Sequence, residues 1–198
     1  MYAGGAGVEP AAVATVFASA DGDGAIMHRM CESFAAPEPA VSPTQFHNSV
    51  HNAPAGYWSI AAGSTRPSIS LAADQESFAV GLLEAALQAV LDPAPVLLVA
   101  FDLPMPYPLK LMRARDHGFA AALLMSRERR GIPIAAIEMH LEPGAASSPL
   151  PADLAALADN PAARALTLLA ALATGSLGTV RLGAIGATGA NQLGARCR

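Results

Sequence analysis

An α/β fold is predicted by three consecutive segments of different period. Ser68-Ile69-Ser70-Leu71 alternates polar and apolar residues, as a half-buried strand does. From Gln75 to Leu91 the residues Phe78, Leu82, Leu83, Ala86, Leu87 and Val90 draw an apolar stripe at helical spacing, with Asp74 placed to cap its start. Pro93 and Pro95 stop that helix, and Val96 to Phe101 follows as an unbroken apolar run, the pattern of a strand covered on both faces. Strand, helix and buried strand in succession predict a βαβ crossover with parallel pairing.

The elements before this unit follow the same logic. Val13, Thr15, Val16 and Phe17 predict a short buried strand between Ala11 and Ser19, closed by the turn Asp21-Gly22-Asp23-Gly24. A helix over Ala25 to Ala35 follows, in which Ile26, Met30 and Phe34 recur every four residues and share one face. Pro37 and Pro39 end it. Ser42-Pro43 reads as an N-cap with proline at the first helical position, and Asn52 reads as the cap of a second helix that Gly63 closes.

Beyond the unit, Leu103 to Pro108 is a proline-rich loop. Gly118 to Ser126 and Ile134 to Leu141 are apolar runs on either side of a charged segment, which predicts a hairpin of antiparallel neighbours. Ala152 to Thr174 is rich in Ala and Leu and reads as helical, with a restart at Asn160-Pro161. The organisation expected is one domain over residues 1–174 and a Gly-rich tail over 175–198, where Gly183, Gly186, Gly189 and Gly194 favour disorder or loose packing.

Composition removes whole classes of function. At 198 residues the chain fits one domain or one half of a double-domain fold. Net charge is −4 and no Lys/Arg run occurs, which excludes the electrostatic footprint of nucleic-acid binding. Charged residues make up 14% of the chain, against about 25% for a typical soluble domain, so part of the surface is expected to meet a partner. No stretch carries the roughly 18 apolar residues that span a bilayer, and no basic segment precedes an apolar run at the start. Cys31 and Cys197 are far apart and make no disulfide framework, and a cytoplasmic location is expected.

Individual reactive residues read as structural. His47 and His51 stand four apart, a spacing used by zinc sites, yet Asn48-Ser49 between them supplies no Glu base, so hydrogen bonds to neighbouring backbone are the expectation. Cys31 reads as a buried, inert thiol, and Ser77 as a structural hydroxyl one turn inside the long helix. No metal and no cofactor are expected.

The stretch from Ser42 to Ile60 resembles the helix pair that precedes the nucleophile in β-ketoacyl synthases: Asn52, Ala55, Gly56, Ser59 and Ile60 keep the family's order. Arg66-Pro67, a short strand and a long helix starting near Asp74 follow at the family's spacing, and the similarity runs on to about Leu141. The resemblance implies a thiolase-like half-fold, the amino-terminal half of a synthase, with a mixed five-stranded sheet flanked by helices. Relatives also place an opening strand before the Val13 region. The junction of strand and helix would be the nucleophile elbow, where active relatives carry a cysteine whose thiolate the helix N-terminus favours.

Here that junction reads Leu71-Ala72-Ala73-Asp74-Gln75-Glu76, with no Cys, Ser or Thr. Aligning Gly81 with the family's glycine puts the lost cysteine at Ala73, to within one or two residues, and leaves Ala73, Asp74 and Gln75 as a vestigial elbow. Thioester exchange needs a nucleophile that later leaves well, which a carboxylate does not supply. The second half of the fold, which in active relatives brings the histidines and lysine of decarboxylation, has no counterpart in a chain of this length. The closest resemblance is to chain-length factors, synthase-like subunits that pair with a catalytic β-ketoacyl synthase in aryl-polyene and type II polyketide pathways, alongside an acyl carrier protein. It implies a non-catalytic partner subunit with no catalytic residue of its own; Phe46, Asn52, Tyr57, Trp58 and Phe78 are candidate interface or tunnel residues, with simple core packing the competing expectation for the aromatics Tyr57 and Trp58. Two competing classes are an acyltransferase with an unrecognised nucleophile and a truncated copy without activity.

Overall fold

The computed structural model describes residues 7–128, 133–143, 147–175, 178–185 and 191–197. β1 (Ala14–Ala18) is wholly buried and sits at the centre of a mixed sheet. Its neighbours β2 (Ser68–Leu71) and β3 (Val96–Asp102) are both parallel to it, and β4 (Phe119–Met125) runs antiparallel to β3, giving the order β2-β1-β3-β4. The predicted crossover is therefore present, with β1 inserted between the two strands that the helix connects.

Period-two alternation sorts the strands' side chains into two cores. Val16, Ala18, Val96, Leu98 and Ala100 face α4 (Ser77–Leu91), together with its Phe78, Leu82 and Ala85. Val13 and Phe17, with Leu97, Val99 and Phe101, face α3 (Ala53–Ala62) and enclose its Trp58. The helix-facing contact is tight: a Cβ on Gly81 would stand 2.7 Å from that of Ala18. That approach lets α4 bury Ala79, Leu82 and Ala85 completely.

The mixed sheet flanked by helices is as expected, but it holds four described strands instead of five. The expected hairpin is corrected: β4 pairs with β3, whereas β5 (Ile137–Pro143) belongs to a second, antiparallel sheet with β6 (Thr179–Ile185) and β7 (Asn191–Cys197), ordered β5-β7-β6. Two apolar runs around a charged turn are compatible with a hairpin or with a chain that leaves one sheet for another, and β3's long apolar edge wins the competition for β4.

β6 and β7 lie in the Gly-rich tail, so the expectation of disorder or loose packing is corrected for these residues. The glycines there are places of close approach. The Glu76 carboxylate occupies the space of a side chain on Gly183, and the His140 ring that of one on Gly194. Leu182 and Ala195 join the core around α4 and α5 (Ala165–Thr174). The helical region before α5 opens with two 3-10 segments, Ala152–Leu157 and Pro161–Arg164, and Asn160 caps the latter by accepting from Ala162 N–H, as predicted.

Three local readings change. In α1 (Gly24–Ala35), Met30 is buried but Phe34 is 58% exposed, so the predicted apolar face is only partly covered. Cys31 is exposed, correcting the buried-thiol reading, because the packed stripe of α1 is too narrow to include it. Ser42 caps α2 (Pro43–Ser49) through Gln45 N–H, whereas Asn52 stands at the start of α3 with no capping bond from its side chain.

Candidate functional site: the elbow and the charged chain beneath it

The carboxyl ends of three parallel strands converge on one edge of the mixed sheet, the place where open α/β sheets put their sites. β1 ends at Ser19-Ala20-Asp21, β2 at Ala73-Asp74, and β3 at Asp102. Arg113 and Arg115, from the loop after β3, reach the same region.

The junction between β2 and α4 has an unusual backbone. Asp74 has φ 48°, the only positive φ of a non-glycine residue among the described residues. It opens a 3-10 turn, Asp74–Glu76, that runs into α4. Such a strained strand-to-helix turn is how an elbow lifts one side chain above the sheet. The strain falls one residue past Ala73, which has φ −146°. Asp74 does not cap the helix, correcting the sequence reading, because its left-handed backbone lacks the extended geometry of an N-cap. Ser77 holds the turn instead, its hydroxyl accepting from Ala73 N–H (2.9 Å) and donating to Asp74 C=O (2.7 Å). This confirms Ser77 as a structural hydroxyl, 1% exposed.

The Asp74 carboxylate pairs with the Arg113 guanidinium. Arg113 Nε also lies 3.5 Å from Asp21, and Arg115 lies 2.9 Å from Asp21 and 3.5 Å from Asp102. Alternating charges thus run from the exposed elbow to the fully buried Asp102 in the order Asp74, Arg113, Asp21, Arg115, Asp102. Asp102 also accepts from Ser19 hydroxyl (3.0 Å), Ala20 N–H (2.8 Å) and Ala162 N–H (3.1 Å). Burial pushes the Asp102 carboxyl above the ordinary carboxylate range, opposed by Arg115 and these donors. The hydrogen bond from Arg113 to Asp74, helped by the charge of Asp21, raises the Arg113 pKa and keeps the guanidinium charged.

A cavity of about 730 Å³ opens over this chain, with Asp21, Asp74, Gln75 and Arg113 on its polar side and Met27 and Met105 on its apolar side. Asp74 and Gln75 of the predicted elbow line it. None of Phe46, Asn52, Tyr57, Trp58 and Phe78 does, and these five share no wall. Phe78 and Trp58 are buried in the two cores on opposite faces of the sheet, while Phe46 and Tyr57 are exposed on α2 and α3. Tyr57 donates to Asn48 Oδ1 (2.6 Å) and meets the His47 ring edge to face, and His51 Nε2 bonds to Ser19 C=O (2.9 Å). Both histidines are thus engaged locally, and no described cluster of three His, Cys, Asp or Glu side chains could hold a metal.

Sequence reasoning missed Asp21, Asp102, Arg113 and Arg115. The available signal was a carboxylate ending an otherwise apolar strand, Val96 to Asp102, since a charge in that position must find buried partners.

Taken together, these elements define an α/β protein whose β2–α4 junction places the ion-paired Asp74 carboxylate on a turn of positive φ. The chain belongs to the β-ketoacyl synthase family: the model of its N-terminal domain matches residues 7–179. The fold is thiolase-like. Among solved structures it is similar to a chain of the complex of a ketosynthase with its chain length factor from Xenorhabdus doucetiae, with a TM-score of 0.70 and 22% identity, covering 93% of this chain and 69% of that one. A search of curated protein sequences finds no match. Among the described residues no helix is long and apolar enough to cross a membrane.

Proposed function

We propose that this chain is a non-catalytic, chain-length-factor-like subunit that pairs with an active β-ketoacyl synthase in acyl-chain elongation. The observation that carries the reading is the elbow. Its strained position holds Asp74, whose carboxylate is tied to Arg113, and the neighbouring Ser77 hydroxyl is consumed in holding the turn. Nothing there can form and release an acyl thioester.

A partner is supported by β4. It is an edge strand composed only of Phe, Ala, Leu and Met, and no described strand pairs with its outer edge. Natural edge strands carry charges or bulges that discourage pairing, and β4 has neither, so its free N–H and C=O groups suit a strand from a second subunit. The exposed Phe46 and Tyr57, with Asn52, form a second candidate contact, and an acyl carrier protein is the expected donor to the assembled pair.

Co-production with a catalytic β-ketoacyl synthase from the same source tests the proposal. The expected result is a stable one-to-one complex, lost when the exposed Ala122 of β4 is replaced by Lys. The isolated chain should remain unlabelled by an acyl-carrier-protein thioester in intact-protein mass spectrometry. A chain that never retains a synthase, or that becomes acylated at a mapped residue such as the exposed Cys31, would falsify it.

A further inference from the structure

The loop after β3 returns toward the sheet through a narrow neck, where Met105 N–H donates to Arg115 C=O (3.0 Å). Both neck residues are fixed: Met105 is buried against Gly24, and the buried Arg115 is ion-paired with Asp21 and Asp102. Residues 106–114 between them form a lobe whose backbone bonds close on themselves. Lys110 N–H donates to Pro106 C=O (2.9 Å), Leu111 N–H to Pro108 C=O (3.0 Å), and Met112 and Arg113 N–H to Leu109 C=O (both 3.0 Å). The 3-10 turn at its centre, Leu109–Leu111, packs only loosely on the described helices and strands. We infer that this lobe is a lid with two positions, latched open in this structure by Arg113 and poised to close over the cavity above the elbow. The inference is independent of the pairing proposed above.

Two cations make the polar ties from the lobe to the rest of the described residues. Lys110 pairs with Asp116, one residue past the neck, so this tie stays with the stem of the loop. Arg113 reaches the elbow, pairing with Asp74 and lying 3.5 Å from Asp21. Asp21 is shared with Arg115, so Asp74 is the partner that serves the latch alone. Arg113 and Asp74 are both exposed, and exposed ion pairs are weak ties that salt screens.

The opposing pull is apolar. Tyr107, Leu111 and Met112 are 73%, 75% and 86% exposed, a large apolar surface for one short lobe to leave in water. Leu109 and Met112 of the lobe and Met27 of α1 line the same cavity, and Met27 is itself exposed. Movement of the lobe inward brings Met112 onto Met27 and takes apolar surface of both out of water, which offsets the loss of a weak ion pair. Two positions of similar free energy about a fixed neck are what a lid requires, and such motions fall between microseconds and milliseconds. Closure covers Asp74 and Gln75, so the lid sets when the elbow is open to a ligand or a partner.

NMR of the full chain carrying carbon-13 methionine methyls tests the lid, with signals assigned from Met27→Leu and Met112→Leu. Relaxation dispersion should show one exchange process common to Met27 and Met112 and absent from Met139 on β5. Asp74→Asn should raise the population of the second position by about threefold, the effect of losing one exposed ion pair, and strengthen the methyl NOE between Met27 and Met112. Added sodium chloride should shift the unsubstituted chain the same way, and Arg113→Gln should match Asp74→Asn. Arg66→Gln removes an exposed pair with Asp92 at the other end of β2 and should leave the exchange unchanged. Thermal melts establish that each variant is folded. Three outcomes overturn the inference: exchange not shared by Met27 and Met112, an NOE between them that weakens in folded Asp74→Asn, or a population that responds no more to Asp74→Asn and salt than to Arg66→Gln.

Discussion

Two strand-to-helix junctions lie side by side on the same edge of the mixed sheet, and they are built in opposite ways. Between β1 and α1, Asp23 is an ordinary N-cap: its backbone is extended and its carboxylate accepts from Ala25 and Ile26 N–H, both at 3.0 Å. Between β2 and α4, Asp74 has a left-handed backbone, caps nothing, and pairs with a guanidinium from a distant loop. The same residue type therefore closes one turn locally and projects from the other. Both aspartates line the cavity, but only the second junction carries a positive φ, so the two turns are told apart by backbone and partner.

The largest effect is expected where both junctions share a foundation. Asp102 accepts from Ala20 N–H beside the first junction and ends the charged chain that begins at the second. Asp102→Asn leaves Arg115 buried with a weakened counter-charge and should cost about 3–5 kcal/mol in urea unfolding. Asp102→Asn combined with Arg115→Met should recover much of that loss. The pH dependence has a definite sign. Burial raises the folded-state pKa of Asp102 above its ordinary 3.8, so over that window the folded chain binds more protons than the unfolded one. Stability contributed by this group falls as pH rises through the window, and the Asn variant should lose that slope.

Gly81→Ala comes next. It inserts a methyl 2.7 Å from Ala18 Cβ, at the end of β1 beneath the elbow. Overpacking costs about 1–3 kcal/mol, against at most about 1 kcal/mol returned by the better helix former, so a net loss is expected in thermal unfolding. Ala18→Gly in the same chain should restore most of it.

The sharpest test of the comparison has small numbers. Asp23→Ala should cost about 1 kcal/mol through loss of the cap. Asp74→Gly should change stability by less than about 0.5 kcal/mol, because relief of the positive φ offsets an exposed ion pair. Equal costs at the two aspartates would remove the distinction between cap and elbow.

Much of the architecture was legible because its signals are local. The stripe from Phe78 to Val90 and the run from Val96 to Phe101 each encode their own period, and α4 and β3 appear where those periods end. Strand partnership was not legible, since pairing depends on which edge is free: hence the misplaced hairpin and the unrecognised second sheet. At the site, the lack of Cys, Ser and Thr from Ala73 to Glu76 is plain in the sequence, whereas the positive φ of Asp74 and its link to Arg113, 39 positions later, belong to tertiary structure. The glycines of β6 and β7 misled for a related reason. Without neighbours in view, Gly183 and Gly194 look like slack, and only Glu76 and His140 show what they accommodate.

The contact between α4 and the sheet also explains a compositional oddity. Ala14, Ala18, Ala79, Ala85, Ala89 and Ala100 all lie in the core where helix and strands meet at the separation set by Gly81. Their short side chains act as a gauge that sets how near two layers may stand. A lineage that exchanged one of them for leucine would have to move the helix outward and so reshape the turn from which it emerges, coupling drift in the interior to the geometry of the surface.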